Sequence, residues 1–197
     1  ARETLGRRLA GLQEKRGDFT NAAATWADLA GRTGDAKAWD EAERLAAAAG
    51  APARAATAAK RRAEAETDAR AKAAHLFRAA GHFGAAGDDD GAILELEAAT
   101  ELDRQENSYA DALLARYEAR TLDDRIVSFL EKRATVLEAP EARVAARRRA
   151  ARLSTQLGDH EGAERLFGAL LGDGDDAEAL EVLAQAATRD ERWDDAV

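Results

Sequence analysis

Three histidines, a large excess of carboxylates and one run of arginines are the groups in this chain with chemical potential. His75 and His82 are seven positions apart, so on a helix they share a face but sit about 10 Å apart along the axis. One metal ion cannot bridge that gap without a third ligand, and solvated or packed imidazoles are expected instead. His160 stands apart from both. Asp173-Gly174-Asp175-Asp176 has the acid density of a calcium loop, but it lacks the glycine and terminal glutamate at EF-hand spacing. An inter-helix turn with an N-cap accounts for it better, and Asp88-Asp89-Asp90 reads the same way. Gly81, Gly84 and Gly87 have no preceding strand and no following Gly-Lys-Ser/Thr, so they suit a helix end rather than a phosphate loop. Ser108, Ser128 and Ser154 have no histidine in an arrangement that would activate them. No convergent site emerges, and the expectation is a protein that is not an enzyme, with no cofactor and no metal.

The sharpest local feature is the basic run Arg143, Arg147, Arg148, Arg149 and Arg152. Arg148 and Arg152 are four apart and share a helix face, while Arg147 and Arg149 point elsewhere. Two readings are open. The run is a solvated helix paired with nearby acids, or it is an anion-binding patch whose guanidiniums grip the carboxylates of an acidic peptide.

The elements that must carry these residues are helices. Of the 197 residues 46% are hydrophobic but only 5% aromatic, and alanine supplies most of the difference. An alanine core is thin and suits closely packed helices. Ala, Leu, Glu and Arg are strong helix formers, and runs of Val, Ile and Thr that would mark strands are absent. A net charge of −9 argues against nucleic acid as a partner, which would need clustered excess Lys and Arg. No apolar stretch approaches the roughly 20 residues of a membrane span, so no membrane insertion is expected. With no cysteine there are no disulfides or thiolate sites, which does not decide between cytoplasm and periplasm; a cytoplasmic location is the expectation, with the periplasm left open. The excess of Arg over Lys, together with the alanine, suggests a GC-rich bacterial gene.

A repeat is visible. Gly17-Asp18-Phe19-Thr20-Asn21-Ala22, Gly87-Asp88-Asp89-Asp90-Gly91-Ala92 and Gly158-Asp159-His160-Glu161-Gly162-Ala163 align without gaps, and nine residues after each glycine stand Trp26, Leu96 and Phe167. Weaker copies lie between them: Gly50-Ala51-Pro52 leading to Ala55, Arg120-Thr121-Leu122 leading to Arg125 and then Phe129, and Glu191-Arg192-Trp193 leading to Ala196. The glycine ends a first helix in the left-handed conformation. The aspartate then caps a second helix, whose first-turn acids suit the positive end of its dipole. The spacing predicts helix pairs 2–15 with 19–31, 36–49 with 53–66, 69–84 with 89–102, 106–119 with 122–138, 141–156 with 160–171, and 177–189 with a helix from 193 onward. Two longer spacings predict an extra turn or a longer loop near 63–72 and 134–143.

The Gly-Asp-aromatic turn, the alanine five later and the large residue nine later resemble the tetratricopeptide repeat. Leu9-Ala10 and Leu183-Ala184 on the first helices fit that pattern, as does Trp39. The resemblance implies an all-α superhelical solenoid of αα-hairpins, about five and a half repeats over 1–197 in a single array, read as a fragment of a longer protein. It implies a non-catalytic scaffold for protein–protein interaction that holds a partner polypeptide in a concave groove. The alternative is a structural spacer or self-associating segment with no ligand of its own. The family's groove positions carry over to Arg7, Gly11, Glu14, Asp40, Arg44, Phe77, Gly81, Ala110, Leu114, Tyr117, Arg148, Arg152, Glu181 and Gln185. Of these, Arg44, Phe77, Leu114, Tyr117, Arg148 and Arg152 are the candidate contacts for a protein or peptide, acidic in character. Phe77 and Leu114 could equally be core, whereas Tyr117 is expected to keep its hydroxyl at the surface. The asparagine and lysine of the family's carboxylate-clamp subtype are missing, so chaperone binding is not expected. Packing through a C-terminal face near Leu180, Leu183 and Ala187 is a further expectation.

Overall fold

The structure is a computed structural model and describes residues 2–174 and 176–189. The expected helix from Trp193, and Asp175 of the acidic turn, lie outside the described residues. Among the described residues there are eleven helices and no strand: α1 (Arg2–Lys15), α2 (Phe19–Thr33), α3 (Ala36–Ala48), α4 (Pro52–Glu64), α5 (Ala69–Ala85), α6 (Asp89–Leu102), α7 (Asn107–Ala119), α8 (Asp123–Val136), α9 (Pro140–Leu157), α10 (His160–Asp173) and α11 (Ala177–Arg189). The all-α, hairpin-repeat class expected from the sequence is the class observed. The chain divides into two compact units, Ala1–Arg116 and Tyr117–Val197. In the first, each helix from α1 to α6 packs on the next; in the second, α8 to α11 do the same.

Five hairpin turns share one hydrogen-bond pattern. The amide of the residue after the left-handed position donates to the carbonyl five residues back: Asp18 to Gln13, Ala51 to Ala46, Asp88 to Phe83, Leu122 to Tyr117 and Asp159 to Ser154, each at 2.9 Å. These are Schellman closures, which satisfy carbonyls that the helix end leaves open. Where the next residue is aspartate, its carboxylate also caps the following helix, accepting from Asn21 at 3.3 Å, Gly91 at 2.8 Å and Gly162 at 3.0 Å. Each such cap contributes about 1 kcal/mol.

The pattern corrects the register of the fourth turn. Its left-handed residue is Thr121, at φ 51°, not Arg120. The small position five later is therefore Ile126, and the large position nine later is Leu130, not Arg125 and Phe129. Both are buried, at 2% and 3% exposure. With no glycine to anchor the alignment, the one-residue slip has no mark in the sequence. The longer spacings come from longer first helices: α5 has 17 residues and α9 has 18, against 13 in α3 and α7.

The core is as thin as the composition requires. Ala22, Ala55, Ala92 and Ala163 are all buried at the crossing of their hairpins, where a small side chain lets backbones approach. Larger residues fill between hairpins; Leu45, for example, joins Ala22, Ala23, Ala46 and Ala55 under Phe19 and Trp26. Burying such a leucine stabilises by about 2 kcal/mol.

Candidate interaction site

In the first unit, the expected groove positions are tied to one another by charge. Arg44 donates from Nη2 to Glu14 Oε1 and Glu41 Oε2, both at 2.7 Å. Glu14 and Arg44 lie on α1 and α3, the first helices of successive hairpins, so the pair bridges neighbours. Arg7 does the same toward Asp35, the N-cap of α3, at 2.6 Å, with its guanidinium 5.6 Å from the Trp26 ring centre. Asp40 and the buried Glu43 on α3 receive Arg78 from α5, and Glu43 Oε1 lies 3.2 Å from His82 Nε2. His75 sits beside Arg78, 2.8 Å from Nδ1 to Nη2. Burial, and then that cation, push its imidazole below the ordinary histidine range. The two histidines thus have separate partners. No group of three or more His, Cys, Asp or Glu among the described residues is placed to hold a metal ion.

The apolar members of the expected site divide. Phe77 is half-buried, its ring 4.8 Å from that of Tyr109, over a cluster of Ala63, Ala73, Leu76 and Ala99. Leu114 and Ala110 are core, at 6% and 1% exposure. Gly84 leaves room for the Arg116 guanidinium, which reaches past it to pair with Asp89. An open pocket of about 350 Å³ is lined by Ala23, Ala27, Trp39, Ala42 and Ala58.

In the second unit Tyr117 is 4% exposed, with its ring edge-on to Phe129 at 6.4 Å. The expectation of a surface hydroxyl is overturned: a core poor in large side chains draws Tyr117 in. Arg148 and Arg152 do share a face, and it points at the start of α11. Arg148 Nη2 donates to Asp176 Oδ2 at 2.6 Å, and Arg152 donates from Nε and Nη2 to the two oxygens of Glu178, both at 2.7 Å. Asp176 also caps α11, accepting from Ala179 at 3.0 Å. The arginines hold both carboxyls below the usual carboxylate range, Asp176 through Arg148 and Glu178 through Arg152. Arg149 turns to the opposite neighbour and pairs with Glu118. Beside these three arginines opens a cleft of about 560 Å³, closed by Glu118, Ile126, Leu153 and Gln156. Glu181 and Gln185 are exposed on α11, Gln185 donating to Glu181 at 3.3 Å. Of the expected C-terminal face, Leu180 is exposed, Leu183 half-buried and Ala187 buried.

Sequence reasoning named the arginines and missed their partners. The signal was opposite charge at about one repeat length. It recurs on the second helices, where Lys60 donates to Glu95 at 2.5 Å across 35 positions and Arg165 donates to Glu131 across 34.

No known protein family matches the chain, and no curated protein matches it. Among solved structures it is similar to MamA, with 17% identity over 87% of this chain and 91% of that one, TM-score 0.45. It is similar to the TPR domain of P58(IPK), with 16% identity over 99% of this chain and 58% of that one, TM-score 0.45. It is also similar to TTC0263, a thermophilic TPR protein of Thermus thermophilus, with 15% identity over 94% and 97%, TM-score 0.36. None of these likenesses brings a partner or an activity to this chain. Its own turns, small crossing residues and stacked hairpins are TPR-like. No described helix is long and apolar enough to cross a membrane.

Proposed function

We propose that the chain is a non-catalytic scaffold for protein–protein contact and that a partner's carboxylates enter the cleft on α9. The observation that carries this reading is that Arg148, Arg149 and Arg152 all line one open cleft, with Leu153 and Ile126 beside them. Their side chains remain 38%, 46% and 58% exposed while engaged. A guanidinium has five donors, so each keeps N–H groups for an incoming carboxylate. In the first unit, the accessible candidates are Arg44 and Phe77. Leu114 and Tyr117 are buried in the core of their units and are left out of the proposed contact.

One observation favours the second reading, a structural array with no ligand here: Arg44, Arg148, Arg149 and Arg152 all hold carboxylates of neighbouring hairpins. The two readings separate on an acidic-peptide array probed with the native chain and with Arg149→Gln/Arg152→Gln. Retention by the native chain, lost in a variant of equal helicity, supports the scaffold. Equal retention would place binding outside this cleft, and no retention favours the array.

A further inference from the structure

Second helices of neighbouring hairpins are joined by long side chains in two places and left apart in a third. The position ten after the left-handed residue of a turn is Lys60 in α4 and Glu131 in α8. Lys60 reaches Glu95 of α6, and Glu131 receives Arg165 of α10. In α2 the same position is Ala27, and the positions of α4 that match Glu95 and Arg165 are Ala58 and Thr57. These side chains are too short to meet across the gap. The space between α2 and α4 is therefore an open slot of about 350 Å³, with α3 as its floor. It lies inside the array: α1 packs on α2 and α5 on α4, so hairpin neighbours are in place on both sides and neither covers it. The equivalent gaps are closed by ion pairs of the same two helices, not by a further helix.

The slot has an apolar body and one charged group. Ala23, Ala42, Ala46 and Ala58 are buried in its walls, and the half-buried Trp39 adds an aromatic surface. Arg54 is the one charged residue among those that line it. Its guanidinium is exposed and makes no ion pair or hydrogen bond among the described residues. The indole N–H of Trp39 is likewise without a hydrogen-bond partner among them. The hydroxyl proton of Thr57 is taken by the Ala53 carbonyl at 2.9 Å. An incoming molecule thus meets apolar surface, two unused donors and no carboxylate, in a chain whose net charge is −9.

We propose that this slot binds a small monocarboxylate with an apolar body, an aryl- or alkyl-carboxylic acid, at a site separate from the α9 cleft and independent of the scaffold reading. The body lies on Trp39 and the alanines, and the carboxylate meets Arg54 at the mouth. Small-molecule sites have this make-up, mostly apolar with a few placed polar groups, and begin at about 300 Å³. A single turn of α-helix, about 10 Å across and about 5.4 Å long, already exceeds that volume, so the slot does not take a partner helix.

The test titrates the isotope-labelled full chain with phenylbutyrate and with its neutral amide, phenylbutyramide, by NMR. The indole resonance of Trp39, identified by its loss in Trp39→Phe, is the reporter. The acid is expected to shift it saturably with a Kd of about 1 mM or tighter, and to bind about fivefold tighter than the amide. Arg54→Gln should abolish that preference and leave the affinity for the amide unchanged, since Arg54 is exposed and holds nothing else in place. Ala27→Leu should fill the slot and weaken both ligands at least about tenfold at native helicity. Ala24→Leu, at an exposed position of the same wall, is the second blocking variant and should do the same. Arg149→Gln/Arg152→Gln should leave the Trp39 shifts unchanged, which separates this site from the α9 cleft. No saturable shift of Trp39 up to about 10 mM acid, equal affinity for acid and amide, or binding that survives both blocking variants would overturn the proposal.

Discussion

Arg152 on α9 holds Glu178 on α11 by two parallel hydrogen bonds of 2.7 Å across 26 positions, one hairpin to the next. With Arg148 on Asp176, it fastens the start of α11 to α9. Such forked pairs fix direction as well as contact, and pairs of opposite charge recur through the chain at about one repeat length.

This attachment should depend on pH. Asp176 and Glu178 have carboxyl pKa values below the ordinary range because of their arginines. The folded state therefore holds these protons less tightly than the unfolded chain, and the stabilisation is present above the unfolded carboxylate pKa of about 4. It is lost as pH falls through the depressed folded values. Hydrogen exchange in α11 should accelerate selectively below about pH 4 and stay constant, after correction for intrinsic rates, from about pH 5 to 8. Loosening of α11 as pH rises would contradict this.

Thr121 occupies a left-handed position at φ 51° that glycine fills in the other four hairpin turns. A Cβ there carries a steric cost that glycine avoids, partly offset by glycine's greater freedom in the unfolded chain. Thr121→Gly should raise stability by about 0.5–1 kcal/mol in urea unfolding. A loss of stability would show that the turn tolerates its threonine without strain.

Lys60 and Glu95 join two second helices, with Glu95 only 3% exposed. Lys60→Met should cost about 2 kcal/mol by leaving a buried carboxylate unpaired, less than a fully buried pair would because Lys60 is partly solvated. The double variant Lys60→Met/Glu95→Leu should recover most of that loss, as a double-mutant cycle would measure. Additive losses would contradict the pairing.

Ser154 is 1% exposed, and its hydroxyl has no hydrogen-bond partner among the described residues. Ser154→Ala removes an unsatisfied polar group and improves helix propensity, so it should stabilise by about 1 kcal/mol in thermal unfolding. Destabilisation would indicate that the hydroxyl has a partner in solution.

The fold is legible in the sequence because its signals are local. Gly17-Asp18, Gly87-Asp88 and Gly158-Asp159 each state a helix end, a cap and a helix start within two residues. The fourth turn lies one residue from its expected place because Thr121 adopts a glycine conformation that no local signal marks. The candidate site is only half legible. Arg148 and Arg152 can be placed on one face by their spacing, but Asp176 and Glu178 are 28 and 26 positions away and become partners only through hairpin stacking. Family position draws Tyr117 and Leu114 toward the groove, and the structure puts both in the core. How far a core built from small alanines must recruit large side chains is a property of the whole packing, not of their neighbours in sequence.

The scaffold reading is tested most directly by NMR titration of the isotope-labelled chain with an acidic peptide retained on the array. Shift changes confined to α9 around Arg149, Arg152 and Leu153, and abolished by Arg149→Gln/Arg152→Gln, are the expected result. Saturable binding whose shifts avoid that cleft, or persist unchanged in the variant, would contradict it.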